Sequence, residues 1–242
     1  IAISIIVLIG SSESFSHSRV DNDLEFYTVK KGASFNSILE ELTVKPAHKF
    51  LLKVYIRVND INMAQAGHYH LKNKSWKKFI LSVNRGDVVI YKLEIPAGKN
   101  LFEIKQILSE SNLNNDCSNF KCLDDRYDFV EGTLKPDTYF YKYSDSLSKI
   151  LQRSQDEFFK SSLNLWEKKK PNFPLATLAD ALILASIVEK EAGNEEEKSI
   201  IAGVFLHRLS IGMKLQADPT IIYGLLPNFN GNITKANLRD KN

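Results

Sequence analysis

Cysteine, methionine and tryptophan each occur only twice in the 242 residues, and neither sign of charge prevails: 32 basic residues stand against 29 acidic ones, a formal net charge of +3. So slight an excess gives no electrostatic reason to expect nucleic acid or an acidic membrane surface as a partner. The two cysteines, Cys117 and Cys122, lie in a largely polar loop (114–125). A single C-x4-C spacing makes no case for zinc, and spacing alone leaves a disulfide open. Long apolar runs are missing too. The first ten residues, IAISIIVLIG, carry no charge but are only half of the roughly 20 that a bilayer crossing needs. We read residues 1–10 as the remnant of a transmembrane anchor, with a buried first strand as the alternative. The mostly polar residues 11–24 read as a tether. No Pro/Gly-rich linker marks a domain boundary, which the change in pattern places near residue 90.

What is present is ordinary globular material, 43% hydrophobic and 25% charged. One design is used twice. FYTVKKGASFNSILEEL (26–42) and YKLEIPAGKNLFEIKQIL (91–108) each read as an alternating strand, a glycine turn and a helix. Aligning Gly32 with Gly98 places Phe35 on Leu101, Ile38 on Ile104 and Leu42 on Leu108, one apolar helix stripe in both copies. Ser34 and Asn100 are the expected caps. Two copies are too few for a solenoid, so the fold class expected is α+β. Between the copies, residues 46–58 read as a helix and 67–71 as a strand. Ser75 should cap a helix over 76–83 that ends near Gly86. His68 and His70 alternate on one strand face and, with no third ligand in view, read as ordinary strand residues rather than a metal site.

The stretch ASIVEKEAGN (185–194) drives carboxylates into the end of an apolar helix. Helical spacing puts Leu184, Ile187, Val188 and Glu191 on one stripe and turns Glu189 to nearly the opposite side. On this reading the helix over 181–191 is the most buried in the chain, and Glu189 is markedly more exposed than Glu191. A carboxyl on an apolar stripe is desolvated towards its neutral form, the form a general acid needs. Gly193 ends the helix. Asn194 caps the next one, with Glu195, Glu196 and Glu197 as helix-start charges. Further on, Asp218 is expected to cap a helix with Pro219 in its first turn. An extended piece over 213–216 should bring Gln216 and Asp218 beside the cleft.

These segments carry a family resemblance. ASIVEKE (185–191), VFLHRL (204–209) and GMKLQADPTIIYG (212–224) closely resemble the YceG-like family of endolytic murein transglycosylases, also called MltG. GTLKPDTY (132–139) matches the family's G-x-L-x-P-D-T-Y element. Residues 26–42 resemble its LysM-like module, and the apolar start its single membrane anchor. The resemblance implies a LysM-like module (25–90) followed by a larger α+β catalytic domain (91–242). The latter is incomplete, because family members continue past residue 242. It also implies a single-pass protein of the bacterial cytoplasmic membrane, with its catalytic domain on the periplasmic or extracellular side.

The implied activity is cleavage of peptidoglycan strands between N-acetylmuramic acid and N-acetylglucosamine, leaving 1,6-anhydro ends and consuming no water. No cofactor or metal is called for. Glycan strands are the substrate, and cell-wall synthases are possible partners. The catalytic glutamate maps onto Glu191, and Asp137, Gln216, Asp218 and Tyr223 are the substrate-binding candidates. Two rivals make different demands. A wall-binding scaffold predicts Glu191 exposed and salt-bridged. A hydrolase needs a second carboxylate about 5–10 Å away, for which Asp137 and Asp218 are the candidates.

Overall fold

A computed structural model of the protein describes residues 2–20, 23–42, 44–229 and 231–237. The chain is α+β, with helices predominating over short strands. It divides into two compact units, one of residues 1–92 and 140–145, the other of residues 93–139 and 146–242. A single crossing near residue 90 was expected; the return of 140–145 to the first unit was not.

In the first unit, helix α1 (Ala2–Ser16) runs straight through the segment read as the start of a tether. The correction has a local cause. The hydroxyls of Ser12 and Ser16 donate to the carbonyls of Ile9 and Glu13, so these serines sit buried without breaking the helix. Among the described residues no helix is long and apolar enough to cross a membrane. Strand β1 (Phe26–Val29) leads through left-handed Gly32 (φ +80°) into α2 (Phe35–Glu41). Ser34 caps α2 reciprocally with Ser37. Helix α3 (Pro46–Val58) follows, and strand β2 (Gly67–His70) pairs antiparallel with β1, Phe26 opposite His70 and Val29 opposite Gly67. Ser75 caps α4 (Trp76–Arg85), which ends on left-handed Gly86. Phe79, Ile80 and Val83 of α4 are fully buried with Leu52, Tyr55 and Tyr69. Each such side chain contributes about 1.5–3 kcal/mol by leaving water. The Phe26 ring lies between His68 and His70, and His68 Nδ1 is 2.5 Å from the Tyr91 hydroxyl.

Strands β3 (Ile90–Ile95) and β4 (Asp137–Lys142) form a second two-stranded sheet, and the division between the units falls within both strands. In the second unit, left-handed Gly98 leads into α5 (Leu101–Ser109), capped reciprocally by Asn100 and Glu103. Cys117 and Cys122 are joined in a disulfide within the following loop. Helix α6 (Leu147–Glu167) supplies a buried polar anchor. Gln155 accepts from the backbone N–H of Asp124 and donates to its carbonyl and to Thr133. The Tyr139 hydroxyl donates to the Lys135 carbonyl and lies 2.9 Å from Ser154 Oγ. Together these bonds fasten the 132–139 segment to α6. Helices α7 (Leu178–Glu191), α8 (Glu195–Ser210) and α9 (Asp218–Gly224) complete the unit.

Candidate functional site

Helix α7 starts in a reciprocal cap between Thr177 and Asp180 and stops at Glu191, where Ala192 turns extended. Asn194 then caps α8 by accepting from the Glu197 N–H, and the Glu197 carboxylate accepts from the Gly193 N–H. The two helices enclose a small apolar cluster of Leu184, Val188, Phe205 and Ala217. Leu184 and Val188 thus face inward as their spacing predicts. The rest of the expectation fails. The most deeply buried helix is α4 rather than α7, where Ile183 is 51% exposed.

The order of the glutamates is also the reverse of that expected. Glu189 is half-buried, its side chain 34% exposed, and paired with Lys198 at 2.6 Å. It lies against the loop before α5, where a Cβ on Gly98 would come within 3.3 Å of its Oε1. Glu191 is exposed and, among the described residues, has no ion pair. The physical reason is that α7 is covered on two sides. Its Leu184–Val188 stripe meets α8 and α9, while the Glu189 side meets the α5 loop. The stripe's own partner ends at Val188, so Glu191 projects past the cluster. The intervening Lys190 reaches Glu103 of α5 at 4.0 Å, a second tie between the α7 end and the α5 start.

One site residue escaped the sequence reading. The Glu131 carboxylate, just ahead of the fastened 132–139 segment, accepts from the Leu101 N–H at 3.0 and 3.3 Å. It also accepts from the Tyr223 hydroxyl at 2.7 Å. Its partners lie 30 and 92 residues away, so no local pattern signals it. Burial and the adjacent carboxylate push the Tyr223 phenol up to about 12. Tyr223, on α9, is therefore linked through Glu131 to the N-terminus of α5, the end that favours negative charge.

The other candidates are placed differently. Gln216 is exposed with left-handed backbone (φ +53°). Ala217, buried in the α7–α8 cluster, takes the cap position of α9, so Asp218 is its first helical residue and makes no capping bond. That corrects the expected cap: packing of the alanine fixes where the helix begins. The 213–216 piece is irregular, and Arg208 holds it through the Leu215 carbonyl. Asp137 makes local contacts, accepting from the Thr138 N–H and lying 3.9 Å from Lys135. Among the described residues no group of three or more metal-ligating side chains occurs. What the structure brings together is the end of α7, the start of α5, Glu131 and Tyr223.

The model of the YceG-like family matches residues 27–242, nearly the whole chain. The chain belongs to the YceG-like family. Among curated relatives, the endolytic murein transglycosylase of Streptococcus pneumoniae (strain ATCC BAA-255 / R6) is 26% identical over 214 residues, covering 73% of this chain. That of Bacillus subtilis (strain 168) is 27% identical over 219 residues, covering 77%. This YceG-like chain spans 38% and 58% of those two relatives' lengths. A crystal structure of a yceG-like protein from Listeria monocytogenes superposes with a TM-score of 0.50 at 22% identity, covering 89% of this chain and 80% of that one. At that identity the likeness is one of fold.

Proposed function

We propose that this YceG-like protein is an endolytic lytic transglycosylase that cleaves peptidoglycan glycan strands between N-acetylmuramic acid and N-acetylglucosamine, leaving 1,6-anhydro ends, with Glu191 as general acid and then base. The observation that carries the reading is the match of the YceG-like family model to residues 27–242, together with relatives named endolytic murein transglycosylases. The exposure of Glu191, the reverse of what its apolar stripe predicted, removes the burial argument for it. Its assignment rests on the E-K-E resemblance, with Glu189 tied to Lys198 as the less reachable of the two. A carboxyl that must meet a polymeric substrate has to be reachable. Glu191 gives its proton to the glycosidic oxygen as the oxocarbenium-like state develops. The same carboxylate then takes the C6 hydroxyl proton as that oxygen closes on C1. The scaffold rival required Glu191 to be exposed and salt-bridged; exposure is met, and no salt bridge to it occurs among the described residues.

Residues 25–90, within the first unit, are read as the LysM-like module that holds glycan. The exposed Ile3, Ile5, Ile6 and Val7 of α1 fit the membrane-proximal end of an anchor. The disulfide fits an oxidising compartment outside the cytoplasm.

The test uses the intact parent protein on purified sacculi. Glu191→Gln keeps the shape of a neutral carboxyl but has no proton to give, so release of anhydro-muropeptides should stop while the melting temperature stays near that of the parent. Glu189→Gln should keep most activity and lower the melting temperature slightly, because it weakens the Lys198 pair. An active, folded Glu191→Gln protein would sink the mechanism. Products heavier by one water would identify a hydrolase.

A further inference from the structure

Two tyrosines of the second unit are used in opposite ways. Tyr139 buries its ring, 3% exposed, and satisfies its hydroxyl inside the core against Lys135 and Ser154, as a structural tyrosine does. Tyr223 ties its hydroxyl down to Glu131 and leaves its residue surface 48% exposed. The helix that carries it needs the tie, for α9 has no buried side chain and no capping side chain of its own. Glu131 is well placed to supply it. It precedes the segment that Gln155 and Ser154 fasten to α6, and it is anchored a second time at the Leu101 N–H. A carboxylate accepting from both a backbone N–H and a phenol is a stiff hinge pin, because charge-assisted bonds are short and directional.

We infer that Glu131 is a positioning residue that locks the ring of Tyr223 as a stacking platform for a pyranose ring of the glycan strand. The C–H-bearing face of a sugar packs on an aromatic face, and a ring whose hydroxyl is already bound loses little rotational freedom when the sugar arrives. This rests on the glycan-cleaving reading above, since it names a subsite for the same substrate. It assigns Glu131 no proton transfer and no contact with the reacting bond.

The experiment measures binding of peptide-free glycan strands to the full-length parent carrying Glu191→Gln, alone and combined with Glu131→Gln, Tyr223→Phe or both. Each single exchange should weaken binding roughly three- to tenfold, as expected for one charge-assisted hydrogen bond no longer holding the ring. The double exchange should be no worse than either single one, because both remove the same bond. Ring-labelled tyrosine NMR supplies a signature that a general loss of stability would not move: the Tyr223 phenol, at about 12 in the parent, should titrate lower in Glu131→Gln. In the Glu191-containing protein, Glu131→Gln should raise KM and leave kcat nearly unchanged. Additive effects, unaltered affinity in both single variants, or loss of kcat alone would each overturn the proposal. If the parent binds no glycan at all, the transglycosylase reading falls with it. If the parent binds glycan and Glu191→Gln still cleaves it, only the catalytic assignment falls.

Discussion

The two βα copies, 26–42 and 91–108, share a design and differ in what surrounds it. Both turn through a left-handed glycine and both start their helix in a reciprocal cap. In the first, Phe35, Ile38 and Leu42 all enter the core around α4. In the second, Ile104 is buried while Leu101 and Leu108 are only half-covered. The space beside the glycines differs in the same sense: a Cβ on Gly32 would meet nothing, and one on Gly98 would meet Glu189. The first copy is therefore held by apolar burial. The second is held by polar clips, Glu131 on Leu101 and Lys190 on Glu103, and borders the candidate site. Identical local rules give a scaffold in one place and a wall of the candidate site in the other.

The largest effect should come from the core of the first copy. Phe35→Ala should cost about 3–5 kcal/mol, whereas Leu108→Ala, half-covered, should cost about 1 kcal/mol. Denaturant unfolding of the two variants measures the difference, and equal losses would break the comparison. Next come the glycines. Gly32→Ala and Gly98→Ala should each lose about 1 kcal/mol, because both backbones are left-handed. Gly98→Ala alone should also disturb the Glu189–Lys198 pair and so lose slightly more stability than Gly32→Ala; equal losses would detach that loop from α7.

The caps should behave alike. Ser34→Ala and Asn100→Ala remove the same kind of bond and should each cost about 1 kcal/mol by thermal melting. A large inequality would show that the copies differ even locally. The smallest effect is a pH dependence near the second copy. Asp116 is held down to about 2 from its ordinary 3.8, first by the Ser146 hydroxyl and then by the Ser148 N–H at the start of α6. A lowered carboxyl favours the ionised folded state, so its contribution is complete above about pH 4 and fades as the pH falls towards 2. Asp116→Asn should flatten that part of the melting-temperature profile.

Local chemistry was legible wherever it acts over a few residues. The caps at Ser34, Ser75, Asn100 and Asn194, the helix over 46–58 and the inward stripe of Leu184 and Val188 follow from propensity and spacing. The glutamates show where such reasoning stops. Periodicity gives a residue's angle about its helix axis, but not what stands at that angle. Glu189 was assigned to solvent and lies against the Gly98 loop; Glu191 was assigned to the interior and projects beyond it. The start of α9 moved for a related reason, since burying Ala217 outweighed the capping preference of Asp218.

By itself the sequence determined the α+β class, the twice-used βα design and the family, because these rest on short-range spacing and on motifs read in order. Tertiary structure alone decided which glutamate is tethered, which is open to solvent, and that Glu131 joins Leu101 to Tyr223. Hydrogen bonds between residues 30 and 92 positions apart depend on how the helices pack. That packing is set by the sum of many small burial terms, which no local stretch of sequence contains.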